Sequence, residues 1–228
     1  MTLEHDHDAH EPGDAEHDHA DDAGHDQGDH AGHDHAAHGD DDHAGHEHVD
    51  YPTAVQLFRA DKDDYFRDAH DSPIPHDQRD EFTGLPYFPV DEALRLEGLT
   101  LEPYEGDEPT SFQIPTSDGQ LRDAERAGTF RFEIGGESLR LTGYRFAAGG
   151  SESVFVPFLD GTSGQESYGA GRYLDLDPDA RDGTYVLDFN LAYHPSCVYD
   201  PRFSCPLTPP ENRLPVRIEA GERLPVPA

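Results

Sequence analysis

The chain has 228 residues, 49 of them acidic against 16 basic, and a formal charge of −33. That balance argues against a nucleic-acid partner, whose phosphates need clustered Lys and Arg, and against an anionic membrane surface for the same reason. No apolar run reaches the length of a membrane span, the N-terminus lacks the basic and apolar regions of a secretory signal, and two cysteines make no disulfide scaffold, so a cytoplasmic protein is expected.

Residues 1–50 hold 13 Asp, 4 Glu and no Lys or Arg. The remainder is acidic too, and Lys62 is the only lysine of the chain. A low-lysine, Asp-rich domain suits a salt-accumulating, halophilic cytoplasm, where a Debye length of about 3 Å at roughly 1 M salt leaves like charges little repulsion.

The first 50 residues repeat short units: "AGHD" at Ala23 and Ala31, "AGHE" at Ala44, and "HDH" at His5, His17 and His33, with "HEH" at His46. Before Val49 the only large apolar side chains are Met1 and Leu3, too few to offset the entropy of ordering, so a disordered His/Asp-rich tail is expected. Its thirteen histidines are His5, His7, His10, His17, His19, His25, His30, His33, His35, His38, His43, His46 and His48. Imidazole is the commonest ligand for divalent transition metals at neutral pH, and HxH spacing lets two rings of one flexible segment reach one ion. Neighbouring carboxylates add oxygen ligands. At about three to four protein ligands per ion, the tail has capacity for about three or four ions. The Irving–Williams trend predicts little choice among Ni, Zn, Co and Cu, and the tail's lack of cysteine argues against a dedicated Cu(I) site. Buffering of such metals, or their delivery to a metal-dependent protein or transporter, is one expected function. A solvated acidic tail or a pH-responsive one are the alternatives.

Folding signals begin near Tyr51. Pro52 and the spacing of Val55, Phe58, Tyr65, Phe66 and Ala69 predict a helix from about Thr53 to Ala69 with those side chains near one face. Two prolines in "DSPIPHDQRDEF" break it, and a second short helix is expected near His76. From Leu99 onward the chain reads as strands. "TFRFEIGGESLRLTGYRF" alternates on both sides of Gly135-Gly136 and predicts a hairpin. "SVFVPFLD" and "GTYVLDFN" read as further strands, and "RLPVRIEAGE" as the last. With no βα alternation, residues 51–228 are expected to form one mainly β domain: a single antiparallel β barrel or roll with the N-terminal helix packed on it or closing one end.

The segments "SPIPHDQRDEFTGLPYFPVD", "VFVPFLDGTSGQESYGAGRYLDL" and "VLDFNLAYHPSCVYDPRFSCPLTPPENRLPVRIEAGE" resemble the bacterial and archaeal domain of unknown function 1684 family, from about Tyr51 to Arg223. The resemblance implies a single domain and brings no established reaction. The family usually reads "AYNP" where this chain reads "AYHP", so His194 is a departure from it.

The C-terminal region gathers further candidates. Cys197 and Cys205 can be read as a disulfide across a Pro-rich loop, as zinc ligands together with His194, or as small buried residues under a loop. No nucleophile elbow, P-loop or HExxH helix is present. "YGAGRYLDL" is not a dinucleotide motif. It either presents Arg172 and backbone N–H groups to an anion, or its glycines make tight turns while Arg172 pairs with Asp188 or Glu211. Arg172, Tyr173, Asp188, Asn190, Glu211 and Asn212 near one mouth of the sheet form a candidate ligand pocket. The second expected function is therefore a small-molecule-binding protein or enzyme with an accessory tail. Nothing in this part of the sequence establishes a cofactor.

Overall fold

The computed structural model describes residues 49–146 and 153–225. The expected disorder of the tail, and its histidines His5 to His48, fall outside them. The described chain is mainly β. It runs from one helix, α1 (Tyr51–Asp68), into seven strands: β1 (Arg95–Leu99), β2 (Ser111–Pro115), β3 (Leu121–Ile134), β4 (Glu137–Phe146), β5 (Val154–Phe158), β6 (Arg172–Leu176) and β7 (Tyr185–Asp188). Among the described residues, no helix is long and apolar enough to cross a membrane.

Helix α1 starts where capping chemistry allows. The Asp50 carboxylate accepts the Thr53 N–H at 2.9 Å, and Pro52 sits in the first turn, where its missing N–H costs nothing. The helix ends as Ala69 turns extended. Its inward face differs from the expected one. Phe58 and Tyr65 are 46 % and 43 % exposed. The docked face is instead Tyr51, Val55, Arg59, Lys62 and Phe66, spaced three or four residues apart. Val55 and Phe66 belong to the expected stripe and are buried, but two of the docked residues are cationic, so apolar periodicity alone finds only part of the face. Arg59 donates to the carbonyls of Phe88 at 3.0 Å and Asn190 at 3.3 Å, and Lys62 pairs with Glu222 at 2.6 Å. The short helix expected near His76 is a 3-10 turn, His76–Glu81.

All strand pairings are antiparallel. Five strands form a sheet in the order β2-β3-β4-β5-β6, and β1 pairs with β7 in a second, two-stranded sheet. The β3–β4 hairpin closes at Gly135-Gly136 as the alternation predicts. Both glycines have positive φ, 60° and 82°, which a two-residue hairpin turn matching the strand twist requires. The sheets do not close into a barrel. They face each other across one core, with Phe130 against Tyr185 and Phe158 against Phe189, each pair edge-on at 5.2 Å between ring centroids. Phe130, Leu141, Val156, Leu187 and Ile218 in this core are fully buried.

Two places depart from regular pairing. Strand β6 lies in "YGAGRYLDL", where a loop was expected. The segment "RLPVRIEAGE", expected as the last strand, forms none. Its backbone is held by side chains: Arg172 donates to the carbonyls of Ile218, at 2.8 Å, and Ala220, while Asp160 accepts the Ile218 N–H at 2.7 Å. Its other backbone groups pair singly with separate segments, the Leu214 N–H with the Leu159 carbonyl at 2.7 Å and the Val216 carbonyl with the Gly161 N–H at 2.8 Å, so no regular ladder forms.

The second departure lies between β4 and β5, which among the described residues pair only at Tyr144 and Phe155. Pro157 has no N–H to give. Asn212 fills the gap. Its side-chain oxygen accepts the Thr142 N–H at 2.8 Å, and its amide donates to the carbonyls of Thr142 at 2.8 Å and Pro157 at 2.7 Å. The side chain thus replaces a missing piece of backbone ladder. Replacing it with an apolar isostere strands three buried backbone groups, so Asn212→Leu is expected to destabilise the fold by about 3 kcal/mol or more. Urea denaturation in molar KCl measures this, and a loss below about 1 kcal/mol would remove Asn212 from this role.

Candidate functional site

A buried ionic lattice joins β6, the C-terminal segment and α1. Arg172 on β6 is fully buried. Besides its carbonyl partners it pairs with Asp160 at 3.3 Å, and its guanidinium lies over the Phe158 and Phe88 rings at 5.2 and 5.6 Å. Asp160, rather than Asp188 or Glu211, is therefore its carboxylate, and no open cleft reaches it. The chain then turns at Gly221 (φ 74°), where a Cβ would lie 2.5 Å from the Ala192 carbonyl oxygen. That close approach delivers Glu222 to the lattice. One Glu222 oxygen receives Lys62. The other accepts the His194 backbone N–H at 2.7 Å and the Tyr199 hydroxyl at 3.0 Å.

His194 is buried in the same lattice. Its Nε2 accepts the Tyr168 N–H at 3.2 Å, so Nδ1 carries the proton and faces Glu222 at 3.7 Å. Burial, with the nearby Arg172 and Lys62 charges, lowers its pKa to about 3. The zinc reading of His194, Cys197 and Cys205 finds no support in the geometry: among the described residues, no three His, Cys, Asp or Glu side chains group as a metal site. Both cysteines are free thiols, and the Cys205 sulfur accepts the Cys197 N–H at 3.3 Å. Burial pushes the Cys205 thiol up to about 11.

The six expected pocket residues do not share one mouth. Arg172 and Asn212 are structural clamps. The Tyr173 hydroxyl is spent on the Pro206 carbonyl. Asn190 is buried, its amide donating to the Asp91 carbonyl and its oxygen accepting the Asp91 N–H, both at 2.8 Å. Glu211 borders a small cavity of about 250 Å³, where it accepts from Arg126 at 2.9 Å and from the Tyr144 hydroxyl at 3.0 Å. Only Asp188 lines the larger cavity, of about 550 Å³, between α1 and strands β6 and β7. That cleft has apolar walls from Phe58, Leu176, Val186, Leu191 and Tyr193, and polar ones from Asp175, Asp177, Asp179, Asp188 and Arg95.

The cleft follows from the local structure. Helix α1 is pinned at its first residue, where the Tyr51 hydroxyl donates to both Asp188 oxygens, at 2.9 and 2.7 Å, and burial together with Asp188 raises the tyrosine pKa. Pinning at Tyr51, Arg59 and Lys62 leaves Phe58 on the cleft side. Strand β6 and the segment that follows it, Leu174 to Asp179, run along the cleft and bring Asp175, Asp177 and Asp179 to it. Asp175 accepts the Tyr193 hydroxyl at 2.5 Å. These residues escaped the reading from sequence, although two signals were present: the aspartates at every second position, and Val186, apolar on the outward side of a strand whose inward residues are already apolar.

A protein-family model described as a protein of unknown function (DUF1684) matches residues 80–223. The solution NMR structure of an uncharacterized protein from Haloarcula marismortui is 44 % identical, covering 75 % of this chain and 93 % of that one, with a TM-score of 0.57. No curated protein matches the chain. The family match contains every cleft residue named above except Phe58, and it excludes the histidine-rich tail.

Two outcomes are expected. Between its ordinary value of 6.5 and about 3, the unfolded chain binds a proton that native His194 refuses, so this group costs stability as pH falls through that window. His194→Asn removes the cost. Relative to the wild type, the variant should gain stability progressively as pH drops from 6.5, and stay offset by a constant amount above it. Urea titrations at successive pH values measure the gap, and parallel curves below pH 6 would contradict a depressed His194. In the native protein, iodoacetamide should label Cys197 and spare Cys205, with both labelled after denaturation, as mass spectrometry can count.

Proposed function

Because the chain belongs to the DUF1684 family, whose function is not established, we propose a function from its own residues: it binds divalent transition metals, Ni, Zn, Co or Cu, through the histidine-rich N-terminal segment. In this reading the folded β-rich part is the body that carries the arm in a salt-rich cytoplasm. The metal is buffered there or handed to a metal-dependent protein or transporter. The observation that carries the reading is the density and spacing of the thirteen histidines between His5 and His48, repeatedly as HxH with carboxylates beside them. Protons compete for the same nitrogens, so affinity should fall steeply below about pH 6.

The second reading is that the folded part binds a small molecule. The cleft of about 550 Å³ between α1, β6 and β7 favours it, being of ligand-pocket size with mixed apolar and charged walls.

The metal reading is tested by metal analysis of untagged full-length protein, purified without nickel resin and equilibrated with zinc or nickel in high salt. The comparison is a full-length variant with all thirteen tail histidines changed to glutamine. The expected result is about three to four ions per wild-type chain and at most a weakly held remainder on the variant. Equal retention by both, or none by either, would overturn it.

A further inference from the structure

We infer that the cleft between α1, β6 and β7 is a binding site for small organic ammonium ions that carry an apolar or aromatic body. This rests on the second reading above and names the ligand class it would take.

Charge is the first argument. Asp175, Asp177, Asp179 and Asp188 face the cleft against a single cation, Arg95. That arginine is already engaged, ion-paired with Glu97, 3.7 Å from Asp188 and stacked on the Tyr51 ring at 5.0 Å. A concave, partly apolar wall focuses the remaining negative potential, so an anionic ligand is repelled and a cation is drawn in. Asp188 is saturated by Tyr51 and the Asn190 backbone N–H, and Asp175 spends one oxygen on Tyr193. Just past the end of β6, Asp177 accepts the Ser153 hydroxyl and Asp179 pairs with the exposed Arg181 at 3.4 Å, each through one oxygen, so their second oxygens are the carboxylate atoms best placed to meet the ammonium group.

The apolar wall is the second. On a chain with a mean hydropathy of −0.82, Phe58 at 46 % and Val186 at 38 % exposure face the same cavity, with Leu176 and Leu191 beside them. A bare inorganic cation would satisfy the carboxylates and leave this wall wet. An ammonium with an alkyl or aryl body covers it, at about 25 cal/mol for each Å² removed from water. The rings also suit the charge. Lys62, an ammonium of the protein itself, sits 4.8 Å from the Tyr193 ring centre, and Tyr193 lines the cleft next to Phe58.

The test titrates phenethylammonium into isotopically labelled full-length protein in molar KCl, with chelator present to keep the tail metal-free. A parallel titration uses 3-phenylpropionate, which has a similar body and the opposite charge. The expected result is saturable one-to-one binding of phenethylammonium, with backbone shifts gathered at Asp177, Val186 and Tyr193. Phenylpropionate should bind at least about tenfold more weakly, equivalent to about 1.4 kcal/mol. Phe58→Ala, at an exposed helix position, should weaken phenethylammonium about fivefold. Asp177→Asn with Asp179→Asn should weaken it comparably and narrow its advantage over the acid. If phenylpropionate binds at these residues as tightly as the amine, the cleft remains a ligand site and the ammonium class is overturned. If neither probe shifts these residues, or Phe58→Ala leaves amine binding unchanged, the small-molecule reading of the cleft falls with it.

Discussion

The fully buried guanidinium of Arg172 is the constraint on which the rest depends. A charge without water must find its hydrogen bonds inside, and Arg172 finds them on Asp160 and on the carbonyls of Ile218, Ala220 and Glu222. Those bonds fix the C-terminal segment against β6 as an irregular strap. Fixing the strap sets Glu222 in place, and Glu222 must itself be compensated, which brings in Lys62 from α1. A chain with one lysine places it there. Such pairs bring little net stability over an apolar core, yet losing one partner costs about 3–5 kcal/mol because the other charge stays buried. The lattice therefore specifies where the helix sits more than it strengthens the fold.

Helix placement decides what the outer surface can do. With Tyr51, Arg59 and Lys62 facing inward, Phe58 is left over the outer face of β6 and β7. There it meets Asp175, the aspartates just past the end of β6 and the outward Val186 of β7. The cleft is thus a by-product of a polar docking face. It is acidic because the chain beside it is acidic, and apolar in part because Phe58, which the sequence marks as core, is turned toward it. Metal handling by the tail and ligand binding in the cleft draw on separate residues, so either can hold without the other.

Some of this architecture is plain in the residues. The Gly135-Gly136 hairpin and the strands around Val154–Phe158 and Tyr185–Asp188 follow from local alternation and turn chemistry, which need no knowledge of partners. The N-terminus of α1 is similarly local, being a cap and a proline. The histidine tail is read from composition alone. Arg172, Asp188, Asn190 and Asn212 stood out as candidates for a ligand pocket near one mouth of the sheet. Three of the four hold backbone in place. Residue type cannot separate the two roles, since an arginine that clamps carbonyls and one that binds an anion use the same donors.

By itself, then, the sequence determined the mainly β class, the antiparallel hairpin, the helix after the tail and the family. Each of these is set by neighbours within a few residues or by residue order. Only the tertiary structure decided that the sheets stay open across one core, that "RLPVRIEAGE" is a strap and "RYLDL" a strand, and which face of α1 turns inward. Those outcomes hang on contacts between residues tens of positions apart, Arg172 with Ala220 and Lys62 with Glu222 among them. There, satisfying a buried charge outweighs the local preference of the segment that supplies it.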